Sequence, residues 1–348
     1  MIKHSMHTVF LGIDVHKKTF SITAIAEKTV IKRSTMPADP KILLAFIRNN
    51  FPGATVYSAY EAGFSVFGLH RFLVKNDVIN IVVHPASIEV AANNKVKNDK
   101  RDSAKIAEHL SNGKLRCVHI PSIQREAWRS VTRLRSTFVK ERSRTSSRIK
   151  DFLFYFGLLD HKHSGRASKK WINSLFTLKE INEDVFYCLK EYLELWLYFD
   201  KKIAEINKRL KKQAKKDFKV GNVYKNMSGL GFTSTRILAN ELGDLSQFRS
   251  ERALYSFTGL TPRERSSGEK RQLGNISHQG RPIIRAILTE AAWIAIRKDE
   301  HYKEVFDRLV RNTGSRKKAI LGIGRRMIGQ IRAQFKEVLQ EEELLCVK

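Results

Sequence analysis

Cysteine is scarce in this 348-residue chain: there are three, Cys117, Cys188 and Cys346, far apart and in no metal-binding spacing. Odd in number and scattered, they exclude a disulfide framework and suit free thiols in a reducing compartment. No apolar stretch approaches the 18 or so residues that a membrane-spanning helix needs. The first residues, MIKHSMHTVF, lack the apolar core of a secretion signal and lead straight into a strand pattern, so a cytosolic protein is expected. Negative charge is also short. Lys and Arg number 64 against 35 Asp and Glu, a net charge of +29 and a pI near 10.1. A folded chain so basic calls for a polyanionic partner, because neutralising phosphates releases their counterions. With no membrane span, nucleic acid is the expected one. The 42% hydrophobic and 28% charged fractions supply ordinary cores and exclude wholesale disorder. The length implies two or three domains.

The most informative stretch is Val9–Ile25, VFLGIDVHKKTFSITAI. An apolar run, one carboxylate, a polar turn and a second alternating run read as a β-hairpin. Asp14 interrupts the first strand. A buried carboxylate without a partner costs several kcal/mol, so this acid needs a cation to face, or else caps a turn. An acid ending a first strand before a hairpin suits the ribonuclease-H-like fold, where it helps to hold divalent metal. Actin-like ATPases share the Gly-Ile-Asp start, but their glycine-rich phosphate loops are missing here. Downstream, 28–36 reads as a third strand, Pro40–Asn50 as an amphipathic helix and Ala54–Gly63 as a strand with Glu61 at its tip. Leu69–Val74 begins a helix and Val78–His84 is a buried strand. Three meander strands, helix, strand, helix, strand is the ribonuclease-H-like order. A helix over Asn94–Leu110 follows. It carries Asp99 and Asp102 three residues apart, on one face. Such acids also serve as helix-start residues. Four hard oxygen donors in this order along the chain suit Mg2+.

From 122 to 215, glycine and proline nearly vanish and apolar residues recur in a three-four rhythm, which predicts an antiparallel helical hairpin or coiled-coil arm. Its basic face, Arg129 and Arg133 included, is expected to meet a nucleic-acid backbone. His161 and His163 form a lone HxH in a loop, too few ligands for zinc. Beyond 220, NMSGLGFTSTRILANELGD reads as helix–turn–helix, like the helix-hairpin-helix units whose turn amides hold DNA phosphates. Then comes Tyr255–Leu288, where Ser266, Ser267 and Gly268 lie in a polar loop among Arg263, Arg265, Lys270, Arg271, Arg281 and Arg285. Arginines clamp phosphodiesters in two directions, and a serine among them is placed for covalent phosphoryl transfer once activated. Flexible, solubilising loop residues are the alternative. The helix from Pro282 to Ile296 and a basic amphipathic tail complete the chain.

FLGIDVHKKTF, YEAG, VKNDKRDSAKIA, SGLGFTSTRILANELGD and GLTPRERSSGEKRQLGNISHQGRPIIRAIL, in that order, resemble the DEDD transposases of bacterial insertion sequences. These are bridge-RNA-guided serine recombinases that include pilin-gene invertases. The resemblance implies a fold of α/β plus α. It comprises a ribonuclease-H-like (RuvC-like) domain over 1–121, a helical coiled-coil arm over 122–215 and a mainly helical C-terminal transposase domain over 216–348. It assigns Asp14, Glu61, Asp99 and Asp102 to metal, with Mg2+ as cofactor, and Ser267 to nucleophilic attack, with Ser266 adjacent. It also implies DNA ends and target, a non-coding guide RNA and a dimer or tetramer as partners. A RuvC-like junction endonuclease without a covalent step, and a nucleic-acid-binding protein with vestigial acids, are the rival readings. Three departures stand out: no proline after YEAG, Ser103 in place of an alanine, and SGEK for SGG.

Overall fold

A computed structural model describes residues 8–63, 67–85, 88, 99–159, 167–178, 181–264, 273–277 and 280–346. The chain divides into two compact units, Met1–Ile120 and Pro121–Lys348.

The first unit is built on a five-stranded sheet in the order β3-β2-β1-β4-β5. The strands are β1 (Thr8–Val15), β2 (Thr19–Ala26), β3 (Thr29–Pro37), β4 (Thr55–Glu61) and β5 (Ile79–Val83). The first three form an antiparallel meander; β4 joins β1, and β5 joins β4, in parallel. Glu27 and Lys28 link β2 to β3 with φ of 49° and 63°. Two successive left-handed residues make the turn that matches strand twist. Helix α1 (Pro40–Asn50) starts where the sequence says it should: Asp39 accepts from the Lys41 N–H and proline occupies the first turn. Together with α2 (Gly68–Lys75), it covers the sheet face carrying Val9, Leu11 and Ile13. The opposite face, with Ala59 and Val83, meets Ile106 of α3 (Asp99–Ser111). Coverage on both faces is why β1 reads as a continuous apolar run. The predicted series of strands and helices is present; residues 94–98 of the predicted last helix lie outside the described residues.

The second unit is almost entirely helical. Helices α4 (Ile123–Tyr155) and α6 (Glu183–Lys216) pair along their length, with the short α5 (Lys169–Leu175) near their far end. Arg135 meets Asn207, Arg142 meets Asp200 and Trp196 donates to Ser146. The partners run in opposite directions in steps of seven and four, so the hairpin is antiparallel with a coiled-coil rhythm. Ser122 and Asn182 cap the two helices, each accepting backbone N–H groups. Then follow α7 (Phe218–Lys225), α8 (Phe232–Leu242), α9 (Glu251–Thr258), the small hairpin of β6 (Pro262–Glu264) and β7 (Leu273–Ile276), α10 (Pro282–Lys298), α11 (Glu300–Thr313) and α12 (Arg316–Cys346). A single apolar core joins α7–α12. Periodicity did not announce α9, α11 or the β6–β7 hairpin. The helices carry cap signals that do: Ser250 and Gly259 bracket α9, and Asp299 and Gly314 bracket α11.

Candidate active site and nucleic-acid surface

Three elements bring the acids of the first unit toward one end of the sheet. Ile13 of β1 is opposite Tyr60 of β4 in parallel register, so the next residues, Asp14 and Glu61, end neighbouring strands at the same level. Alternation puts Asp14 on the face of Gly12 and Glu61 on the face of Ala59, the side that α3 covers. Gly12 is what lets α3 lie so close. A Cβ built there falls 2.1 Å from the Ser103 carbonyl oxygen and 2.4 Å from the Ala107 amide nitrogen. Ser103 also shares a buried 2.9 Å hydrogen bond with Thr23, the residue paired with Gly12 across the meander. Asp102 adjoins Ser103, and Asp99 begins α3 one turn earlier, about 6 Å along the axis at 1.5 Å per residue. Asp14 and Glu61 are thus neighbours across adjacent strands, and Ser103 of α3 packs on the backbone two residues before Asp14.

The side chains differ in surroundings. Asp14 is 18% exposed and sits 3.1 Å from Nε2 of His16, in the turn after β1. Glu61 is exposed and Asp102 half-buried. Tyr60, beside Glu61, accepts from the His70 N–H, and burial pushes its hydroxyl up to about 12, so it stays neutral and holds the strand end in place. The acids offer carboxylate oxygens, a donor set that fits a hard divalent cation, and His16 adds a ring nitrogen beside Asp14. Among the described residues no three ligating side chains already stand within reach of one ion; the Asp99 side chain lies outside them. Sequence reading gave Gly12 and His16 no role and noted Ser103 only as a departure from the family pattern. The first was visible as the lone glycine in a buried strand, the mark of close backbone approach.

Arg129 and Arg133 require a correction. Expected on a nucleic-acid backbone, they instead fasten α4 to α8. Arg129 donates to the carbonyls of Asn240 and Glu241, and Arg133 grips the Glu241 carboxylate with two donors at 2.8 and 2.9 Å. Burial lowers the Arg129 pKa, and the hydrogen bond to Glu241 raises that of Arg133. The reason is geometric: their stretch of α4 lies against the end of α8, which leaves Arg129 half-buried and Arg133 49% exposed but tied to Glu241. Arg125 completes the clamp with a two-pronged contact to Asp217 at 2.7 and 3.0 Å; Asp217 also takes a 3.0 Å bond from Arg236, which is 1% exposed. Replacing Asp217 by Ala strands two guanidinium groups in the interior. Breaking a buried pair in this way costs about 3–5 kcal/mol. Denaturant unfolding of the variant should show a loss of that size, without a comparable effect from Arg144→Ala at the exposed pair with Glu141.

The remaining predicted residues cluster around the β6–β7 hairpin. Pro262 pairs with Ile276 and Glu264 with Leu273, and Ser277 donates to the Thr261 carbonyl, so the ends of the intervening loop are pinned. Arg265, Ser266, Ser267 and Arg271 belong to that loop and lie outside the described residues, as do His161 and His163. Arg263 is exposed. Arg281 is the exposed N-cap of α10, and Arg285 follows one turn later, with a buried Nη1 that has no hydrogen-bond partner among the described residues. Gly280, at φ of 100°, packs against the Phe257 carbonyl where a Cβ would come within 2.1 Å. The turn between α7 and α8 is likewise a tight fit: Gly229, at φ of 84°, lies against the Ala291 carbonyl, while Gly231 caps α8 without any side-chain acceptor.

Two separate stretches match known families. Residues 11–156 match the transposase model for IS110-type DEDD enzymes, and residues 222–307 match the transposase IS116/IS110/IS902 family. Curated relatives cover much of the chain. The transposase for insertion sequence element IS1111A of Coxiella burnetii is 26% identical over 308 residues, 86% of this chain and 80% of its own length. That for IS1533 of Leptospira borgpetersenii is 25% identical over 296 residues, 82% of this chain and 84% of its own. That for IS1328 of Yersinia enterocolitica is 28% identical over 208 residues, 59% and 60% respectively. No helix among the described residues is long and apolar enough to cross a membrane. With its strand-end acids inside one matched stretch and its serine loop inside the other, the chain belongs to the IS110-family DEDD transposases of insertion sequences.

Proposed function

We propose that this transposase cuts and rejoins DNA through a phosphoserine intermediate, with Mg2+ held by Asp14, Glu61, Asp99 and Asp102 in a ribonuclease-H-like (RuvC-like) domain. What supports this reading is the parallel register that sets Asp14 of β1 beside Glu61 of β4, with the first turns of α3 packed on Gly12, in a sheet with the strand order β3-β2-β1-β4-β5. A divalent ion, when held by these carboxylates, would supply a Lewis acid that draws charge from a phosphate oxygen. The carboxylates hold and orient it. Ser267, on the β6–β7 loop, gives its hydroxyl proton to solvent water and forms the Oγ–P bond. The bond from phosphorus to the bridging sugar oxygen breaks, and that oxygen leaves as a hydroxyl after taking up a proton. A hydroxyl of a second strand then attacks the same phosphorus, restores a phosphodiester and frees Ser267. Arg263, Arg265, Arg271, Arg281 and Arg285 steady the phosphates; arginine forks stabilise charge that grows during transfer.

The strong basic excess and the family resemblance support DNA ends and target as substrates and a non-coding RNA as the source of sequence choice, with the protein reading backbone and shape. The domain scheme 1–121, 122–215 and 216–348 and a dimer or tetramer belong to the same proposal. Trapping decides the chemistry. Wild-type protein incubated with radiolabelled element-end DNA, Mg2+ and the RNA, then denatured, should carry label covalently. Ser267→Ala should carry none and should still bind RNA; Ser266→Ala should behave as wild type. Cleavage that proceeds in both variants without any adduct assigns attack to water, the junction-endonuclease reading.

A further inference from the structure

Helices α11 and α12 border a cleft of about 550 Å3 that no step above uses. His301, Glu304, Arg308 and Arg311 line it from one stripe of α11, at intervals of three, four and three residues; Arg326 faces them from α12, and Asp307 stands at the flank. Glu304 precedes Arg308 by four residues, and Asp307 precedes Arg311 by four. That is the favoured orientation for ion pairs along a helix. Neither pair forms: among the described residues, none of these four side chains has an ion-pair partner within 4 Å. Two carboxylates and two guanidinium groups thus share the cleft without direct contact among the described residues. The third guanidinium is fixed in position. Arg326 Nη2 lies 3.1 Å from His301 Nε2, and since a guanidinium only donates, the ring nitrogen is the acceptor of this contact.

We propose that this cleft binds one unpaired nucleotide of a single-stranded nucleic acid, its phosphate on Arg308, Arg311 and Arg326 and an amino-bearing base edge on Glu304 and Asp307. A purely cationic groove would suit any phosphate backbone. Carboxylates in such a groove repel phosphate and weaken that kind of binding, so their presence selects a ligand with donors of its own. Nucleotides have both halves. The phosphate matches arginine forks, and the exocyclic amino group of cytosine, adenine or guanine donates to a carboxylate, whereas uracil and thymine present a carbonyl at the corresponding edge of cytosine. In a duplex one N–H of each amino group is taken by base pairing and only the other faces a groove, so two carboxylates together are served in full only by an unpaired base. The inference rests on the nucleic-acid reading for its class of partner but not on the metal or the serine, and its test involves no cleavage.

Ten-residue oligo-C and oligo-U, and the corresponding oligo-dC and oligo-dT, bound to the full chain and followed by fluorescence anisotropy, provide the test. Oligo-C should bind about ten-fold more tightly than oligo-U, within the range of one good base contact. A preference in both sugar series places the amino group alone in the site; a preference in RNA only assigns the site to RNA. Glu304→Ala/Asp307→Ala should bind oligo-C about ten-fold less tightly and lose the preference. Nonspecific electrostatics predicts the reverse, because two negative charges are removed from a basic surface. Arg308→Ala/Arg311→Ala should weaken oligo-C and oligo-U alike and flatten their salt dependence by about one phosphate contact or more. Tighter or unchanged oligo-C binding by the double carboxylate variant, or equal binding of oligo-C and oligo-U to the wild type, overturns the proposal. All four residues are exposed and without ion-pair partners among the described residues, so the variants should fold; circular dichroism verifies this.

Discussion

Asp14→Asn should lower metal-dependent strand cleavage by about a thousand-fold or more while leaving DNA binding nearly intact. The substitution keeps the size and the contact distance to His16 but removes a full negative charge from the strand end that Glu61 shares. A divalent ion that polarises a phosphoryl oxygen contributes several kcal/mol to the transition state. Losing about 4 kcal/mol of that is close to a thousand-fold in rate. Single-turnover cleavage of end-labelled DNA across a Mg2+ series measures the effect. Part of the loss should be recovered at high metal concentration, because the other carboxylates remain. Binding measured by gel shift should hardly change, since the basic excess is spread over a chain with 64 cationic side chains. Cleavage at the wild-type rate, with no dependence on Mg2+, would instead make the acids vestigial and leave the chain a binding protein.

Gly12→Ala should be at least as damaging, and for a different reason. The added methyl has to occupy space 2.1 Å from one backbone atom of α3 and 2.4 Å from another. Backbone cannot swing aside as a side-chain end does, so the helix must lift from the sheet. Lifting it breaks the buried Thr23–Ser103 hydrogen bond and uncovers Ile106 and Ala107, both at most 2% exposed. Core overpacking costs typically 1–3 kcal/mol, and losing a buried hydrogen bond together with apolar contacts takes the total beyond about 4 kcal/mol. It also carries Asp99 and Asp102 away from Asp14. Thermal melting should show the first unit strongly destabilised, and cleavage should fall with it. By contrast, Gly53→Ala strains a left-handed turn but meets no neighbour within 4 Å, so it should leave cleavage near wild type. A Gly12→Ala protein with wild-type melting and cleavage would mean that α3 does not pack on β1 as described.

Much of the first unit was legible because local rules agree there. Apolar alternation in β1 and β2 and the Pro40 start of α1 point to the same strands and helix as the packing does, whereas the left-handed turn at Glu27–Lys28 carries no glycine or asparagine to announce it. The α4–α6 hairpin was legible for the same reason, its seven-and-four rhythm being a property of sequence before it is one of contact. The short elements after α8 were not. α9 has eight residues and β6 three, too few for a period to stand out, and their boundaries are set by caps and glycines rather than by repeats. The arginines were misjudged for a related reason. Charge and helical spacing place Arg129 and Arg133 on a basic face, but which surface that face meets depends on α8, more than 100 residues away.

By itself, the order of residues determined the kind of protein: the basic excess, the acids at successive strand and helix ends, and the serine among arginines. These are local or additive properties, and a chain carries them whether or not it is folded. Tertiary structure alone decided which groups meet. It set Asp14 level with Glu61, fitted α3 against the bare backbone of Gly12, tied two arginines of α4 to α8 and, among the described residues, left four charged groups of α11 without ion-pair partners. Those outcomes depend on register and on close approach between segments distant in sequence, and the strength of a contact is fixed by distance and burial, which no linear pattern contains.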